Sequence, residues 1–174
     1  MKSLLVWFTL SITIALVTVV VAGAPPKFAP QVTYVPHEQV NAAVKQGMVA
    51  GQPPIGLIPR DMDLGVRVNV GRKAVGARAE VHSIYGHVFF IQEGSGTVVL
   101  GGELVDPKEG VPGEWTGTRT TGGKEYPVTK GDLITVQVGM PHWWKEVAKE
   151  GIVFIAFHAY PEHNQPGAVQ SGRK

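Results

Sequence analysis

Between Leu64 and Val70 the chain reads Leu-Gly-Val-Arg-Val-Asn-Val, with apolar residues at every second position. A period of two puts those apolar side chains on one face of a β-strand. The same criterion predicts strands over 77–82, 87–92, 97–100, 126–129, 133–138, 143–147 and 152–160, with Gly or Pro in most of the gaps. Many short strands at this spacing predict an all-β sandwich or barrel with residues 64–160 as its body. Upstream, 38–46 places Val40, Ala43 and Val44 on one side of a short helix, and Gly47 stops it. That helix sits within an otherwise extended lead-in, 23–63, whose stretch 50–63 is rich in Gly and Pro and reads as loop. Residues 161–174 read as a polar tail.

The first 22 residues break this pattern. Lys2 precedes an uncharged apolar run from Leu4 to Val21, and the small residues Ala22, Gly23 and Ala24 follow. These are the three parts of a secretory signal peptide, with cleavage expected after Ala22. Uncleaved, the run would serve as a membrane anchor. Either way the folded part is expected outside the cytoplasm, secreted or periplasmic, without stable membrane insertion once the leader is removed.

Composition supports the strand reading. There are 22 Gly and 13 Pro, and beyond the leader Val outnumbers Leu several-fold. A net charge of +2 without a long basic run argues against a nucleic-acid partner. The absence of Cys excludes disulfides, cysteine zinc sites and thiol catalysis. Metal chemistry must therefore use His and carboxylates.

Six histidines are available: His37, His82, His87, His142, His158 and His163. His37 and His163 lie in polar surroundings and read as exposed. Glu80 and His82 are two apart on a predicted strand and share a face. A turn at 83–86 and an antiparallel return would aim His87 at the same interior. His158 follows Ile152, Phe154 and Ala156 in alternation and reads as edge-of-core packing. Arg119, in the glycine-rich stretch 101–125, reads as a solvated loop residue, with a substrate carboxylate as its alternative role. That whole stretch reads as a long loop between the two histidine-bearing segments.

The pattern Glu80-x-His82-x4-His87-x6-Gly94 resembles the first motif of the cupin family. Gly131, Gly139 and His142 match that family's second motif in register, with Gln137 where it carries Pro and Glu146 where it carries Asn. The glycine pair Gly101-Gly102 and the Pro141-His142-Trp143 ending are similar to those of a group of secreted bacterial cupins. The resemblance implies a small antiparallel jelly-roll barrel, a possible homodimer, and metal positions at Glu80, His82, His87 and His142. Relative to the usual motif, the carboxylate and one imidazole have traded places. Three imidazoles and a carboxylate suit one divalent transition metal: Zn, Fe, Mn, Ni or Cu. Glu80 has a second role open to it, as catalytic general base. Two functions follow from the resemblance. One is a metal-dependent enzyme of isomerase, lyase or dioxygenase type acting on a small polar organic molecule. The other is a barrel that binds a small ligand or the metal without turnover.

Overall fold

The computed structural model describes residues 34–58 and 65–161. The leader, the start of the lead-in, Leu64, and the tail with His163 lie outside the described residues. All described residues belong to one unit, Gln31–Lys174.

Helix α1 spans His37–Gly47, one residue longer at each end than the pattern predicts. Thirteen strands follow among the described residues: β1 Ile55–Gly56, β2 Val66–Lys73, β3 Ala79–His82, β4 Gly86–Glu93, β5 Ser95–Leu100, β6 Glu103–Val105, β7 Lys108–Glu109, β8 Glu114–Gly117, β9 Arg119–Thr121, β10 Lys124–Thr129, β11 Leu133–Val136, β12 His142–Val147 and β13 Ile152–Ala159. They form two facing antiparallel sheets, in the orders β1-β2-β13-β4-β11 and β10-β5-β12-β3-β8-β7, and a small β6-β9 pair. This is a jelly-roll barrel, the fold that the motifs implied.

The core lies between the two sheets. Phe89, Ile91, Ile134, Phe154 and Ala156 from the first sheet meet Val98, Val128 and Trp144 from the second. Trp144 and Phe154 stack with centroids 5.5 Å apart, and Phe89 meets both edge-on. Such pairs add about 0.5–1.5 kcal/mol each beyond their burial.

The alternation in β2 has an unexpected sense. Its apolar row, Val68 and Val70, packs outward with Val40, Ala43 and Val44 of α1. The other row, Arg67, Asn69, Gly71 and Lys73, therefore turns toward the barrel interior. Gly71 is placed there by Phe154, whose ring would lie 2.7 Å from any Cβ. The helix supplies the apolar surface that solvent would otherwise meet, and so permits a polar row inside.

Two expectations need correction. Residues 101–125 are not a loop: they hold β6 to β9 and the start of β10. Their strand character is carried by cross-strand pairing, as where Trp115 sits opposite Val81, rather than by apolar alternation. Likewise Ile55–Gly56, read as loop, pairs with Val70 and Asn69. A two-residue strand is too short to leave a periodic signal.

Candidate metal centre

The chain from His82 to His87 does not make a hairpin within one sheet. β3 pairs with β12 and β8, whereas β4 pairs with β13 and β11. The 83–85 connection crosses between the sheets, so His82 and His87 face each other across the barrel. His142 begins β12, directly opposite Glu80. β3 and β13 end here, and β2, β4 and β12 begin, so the site lies at one end of the barrel.

His82, His87 and His142 converge, each offering a ring nitrogen within 4.8 Å of the others. His142 is 1% exposed and His87 6%. His82 Nε2, His142 Nε2 and both nitrogens of His87 have no hydrogen-bond partner although they are buried. Leaving a buried polar atom unpaired costs about 1–3 kcal/mol. Three such rings around one point fit a metal ion, whose ligand atoms at about 2.1 Å would lie roughly 3–4 Å apart.

The tautomers agree with that fit. His142 Nδ1 donates to the Met140 carbonyl at 3.2 Å, which leaves the Nε2 lone pair free. His82 Nδ1 donates to Glu114 Oε2, with the same result. Tyr85 hydroxyl donates to that carboxylate oxygen at 3.0 Å, lies 3.0 Å from His82 Nδ1 and stacks its ring on His82. Burial, and then the Glu114 carboxylate, push the Tyr85 hydroxyl well above its ordinary value, so it stays a donor. Burial first, then neighbouring His142, His158 and His82, push His87 down to about 2 and keep it neutral.

Glu80 sits beside this group with divided loyalties. Its Oε2 lies 3.6 Å from His142 Nε2 and 3.8 Å from His82 Nε2. Its Oε1 accepts a 2.5 Å hydrogen bond from Lys73 on β2. Burial raises its carboxyl. The His142 and His82 rings and the Lys73 ammonium outweigh that and hold it well below the usual carboxylate range.

His158 is not ordinary edge packing. Its ring meets His87 at 4.6 Å and Tyr85 at 5.1 Å, and Asn69 Nδ2 donates to its Nε2 at 3.1 Å. Its alternation with Ile152, Phe154 and Ala156 points inside; the pairing of β13 with β4, which sets it opposite His87, has no sequence signal. Sequence reasoning misses Tyr85 and Glu114 altogether, because Tyr85 falls in a turn and Glu114 in a stretch that reads as loop. Arg119 is exposed on β9, and His37 is exposed at the start of α1.

No family model and no curated protein matches the chain. The chain is similar to several solved structures. A predicted oxalate decarboxylase from Thermotoga maritima is 16% identical, over 60% of this chain and 76% of that one, with a TM-score of 0.40. A cupin protein from Bacteroides fragilis is 13% identical, over 72% and 86%, with a TM-score of 0.39. Salicylate 1,2-dioxygenase from Pseudaminobacter salicylatoxidans is 18% identical, over 70% of this chain but 33% of that one, with a TM-score of 0.44. The strand topology brings the residues of the two motifs to one end of the barrel, where His82, His87 and His142 form a group able to hold a metal ion.

Proposed function

We propose that this chain is an extracytoplasmic metal-dependent cupin enzyme acting on a small polar organic molecule. The observation that carries the metal is the set of buried, unpartnered imidazole nitrogens on His82, His87 and His142. The leader-like first 22 residues support the location. A divalent transition metal at this place would supply Lewis-acid polarisation of a bound oxygen atom. The chain's own part is to present three imidazoles, with His82 fixed in orientation by Glu114 and Tyr85 and His142 by the Met140 carbonyl. Glu80 adds an ionised carboxylate on one side, and Lys73 holds its other oxygen. Phe89 and the packed core lie beneath the cluster on its inner side.

Metal affinity in a short variant series tests this reading. Glu114→Gln removes the acceptor charge behind His82, and Tyr85→Phe removes the hydroxyl that orients it. Each is expected to weaken zinc binding about 10- to 100-fold, measured by chelator competition, with the fold intact. Glu80→Gln separates its two roles. As a ligand or ligand partner, Glu80 gives a loss of the same order; as a general base, it leaves zinc affinity unchanged and turnover abolished. Wild-type protein that takes up no divalent metal would overturn the proposal.

A further inference from the structure

Lys73 and Glu80 are close in the chain yet belong to different sheets. Lys73 ends β2 in the first, and Glu80 lies in β3 of the second. Because Lys73 belongs to the inward row of β2, its side chain runs into the barrel, where its ammonium donates to Glu80 Oε1 at 2.5 Å. The two side chains are only 19% and 25% exposed. An ion pair withdrawn from water is held more firmly than one on the surface, and loss of one partner leaves the other charge without compensation. Among the described residues no other ammonium or guanidinium pairs with Glu80.

Two attractions therefore act on one carboxylate. Its Oε2 stands 3.6 Å from His142 Nε2 and 3.8 Å from His82 Nε2, spacings that ligands of a single ion adopt. Yet the ligand atoms that all lie within 4.8 Å of one another are those of His82, His87 and His142, and Glu80 is not among them. The carboxylate stays on the His82 and His142 side. To join all three imidazoles it would have to move toward His87, while its Oε1 is tied to an ammonium whose backbone is fixed in β2 by pairing with Ile152.

We propose that Lys73 is a positioning residue that holds Glu80 off the metal ion, so that three imidazoles bind the ion and a carboxylate remains beside it to accept a proton. The proposal rests on the metal-binding function put forward for the three histidines. It implies that the ammonium and the ion compete for Glu80. Removing the ammonium should then tighten metal binding, whereas losing a residue that supports a ligand weakens it.

Zinc affinity of the full chain, measured by chelator competition, tests this, with circular dichroism to check each fold. Lys73→Met is expected to bind zinc about tenfold more tightly than the wild type, a change of the size that residues behind the ligands produce. Lys73→Gln should shift the same way and answers the question if the Met variant does not fold. Lys73→Arg keeps the cation and should bind as the wild type does. Glu80→Gln alone should leave zinc affinity unchanged, and Lys73→Met added to it should bring no gain. Cobalt(II) in place of zinc reports the coordination: Lys73→Met should alter its visible ligand-field spectrum, and the alteration should vanish in the Glu80→Gln background. Zinc binding by the Met and Gln variants no tighter than the wild type overturns the proposal, as does an equal gain in Lys73→Arg. A gain that persists in the Glu80→Gln background also overturns it, since that gain is the relief of repulsion between two cations. A wild type that binds zinc, with no gain in either variant, overturns the clamp alone. Zinc uptake by none of the proteins overturns the metal site and the clamp together, and uptake by the Lys73 variants alone upholds the clamp while overturning the metal site of the wild type.

Discussion

His87→Leu is expected to leave the metal-free protein at least as stable as the wild type and to abolish its stabilisation by zinc. The argument concerns what the ring does without an ion. Both nitrogens of His87 are buried and unpartnered, and its plane stacks on Phe89 at 4.6 Å. An unsatisfied group of this kind costs about 1–3 kcal/mol, and an apolar side chain of similar size removes that cost. Leu fills most of the same space against Phe89, which limits any cavity penalty. In the wild type, zinc at about one hundred times its dissociation constant would raise stability by about 2.7 kcal/mol. The variant loses one of three imidazoles and with it most of that response. Melting temperatures with and without zinc, together with the zinc-to-protein ratio, read both effects at once. A variant that melts higher on adding zinc by as much as the wild type would remove His87 from the ligand set.

The two effects have opposite signs because buried imidazole nitrogens without partners are costly until something binds them. Natural cores rarely leave several ring nitrogens unpaired in one place. Here the conflict falls at His82, His87 and His142, where local rules of burial are broken together. That concentration separates a site from a scattered set of core histidines.

Much of this is legible in the amino-acid sequence. The strands around His82, His87, His142 and His158 follow from alternation and from Gly and Pro in the gaps. The grouping of His82, His87 and His142 is what the two motifs in the right order imply. The supporting residues are illegible there for a physical reason. Glu114 reaches His82 only because β8 pairs with β3, and that pairing joins segments 32 residues apart in the chain. Arg67 and Asn69 read as the polar positions of an alternating strand, and Lys73 lies beyond the stretch that the alternation marks out. They face inward because α1 covers the opposite side, and alternation gives the period of a strand but not which face is inside. The crossing of 83–85 from one sheet to the other is likewise a property of strand order, which single-strand patterns do not carry.

The two motif glycines are expected to differ sharply when each is replaced by Ala, although a motif treats them alike. Both have positive φ, +88° at Gly94 and +95° at Gly131. That conformation alone costs an L-residue roughly 1–2 kcal/mol. Around Gly131 nothing lies within 4 Å of an added Cβ, so Gly131→Ala should cost little more than the backbone term. At Gly94 the Cβ would fall 2.1 Å from the Gly151 carbonyl oxygen and 3.1 Å from its carbon. Both partners are backbone, in the turn between β12 and β13 and at the end of β4, so neither can swing aside as a side chain would. Relief requires prying β4 from the start of β13, where Glu93 pairs with Val153 and buried Ile152 closes the core. Overpacking of this kind adds about 1–3 kcal/mol. Gly94→Ala should therefore lose about 2–5 kcal/mol in total, a fall in melting temperature on the order of 5–20 °C, against roughly 5 °C or less for Gly131→Ala. Thermal unfolding followed by circular dichroism compares the pair. Equal losses would mean that conformation alone, and not the close approach of β4 to the 151 turn, requires glycine at position 94.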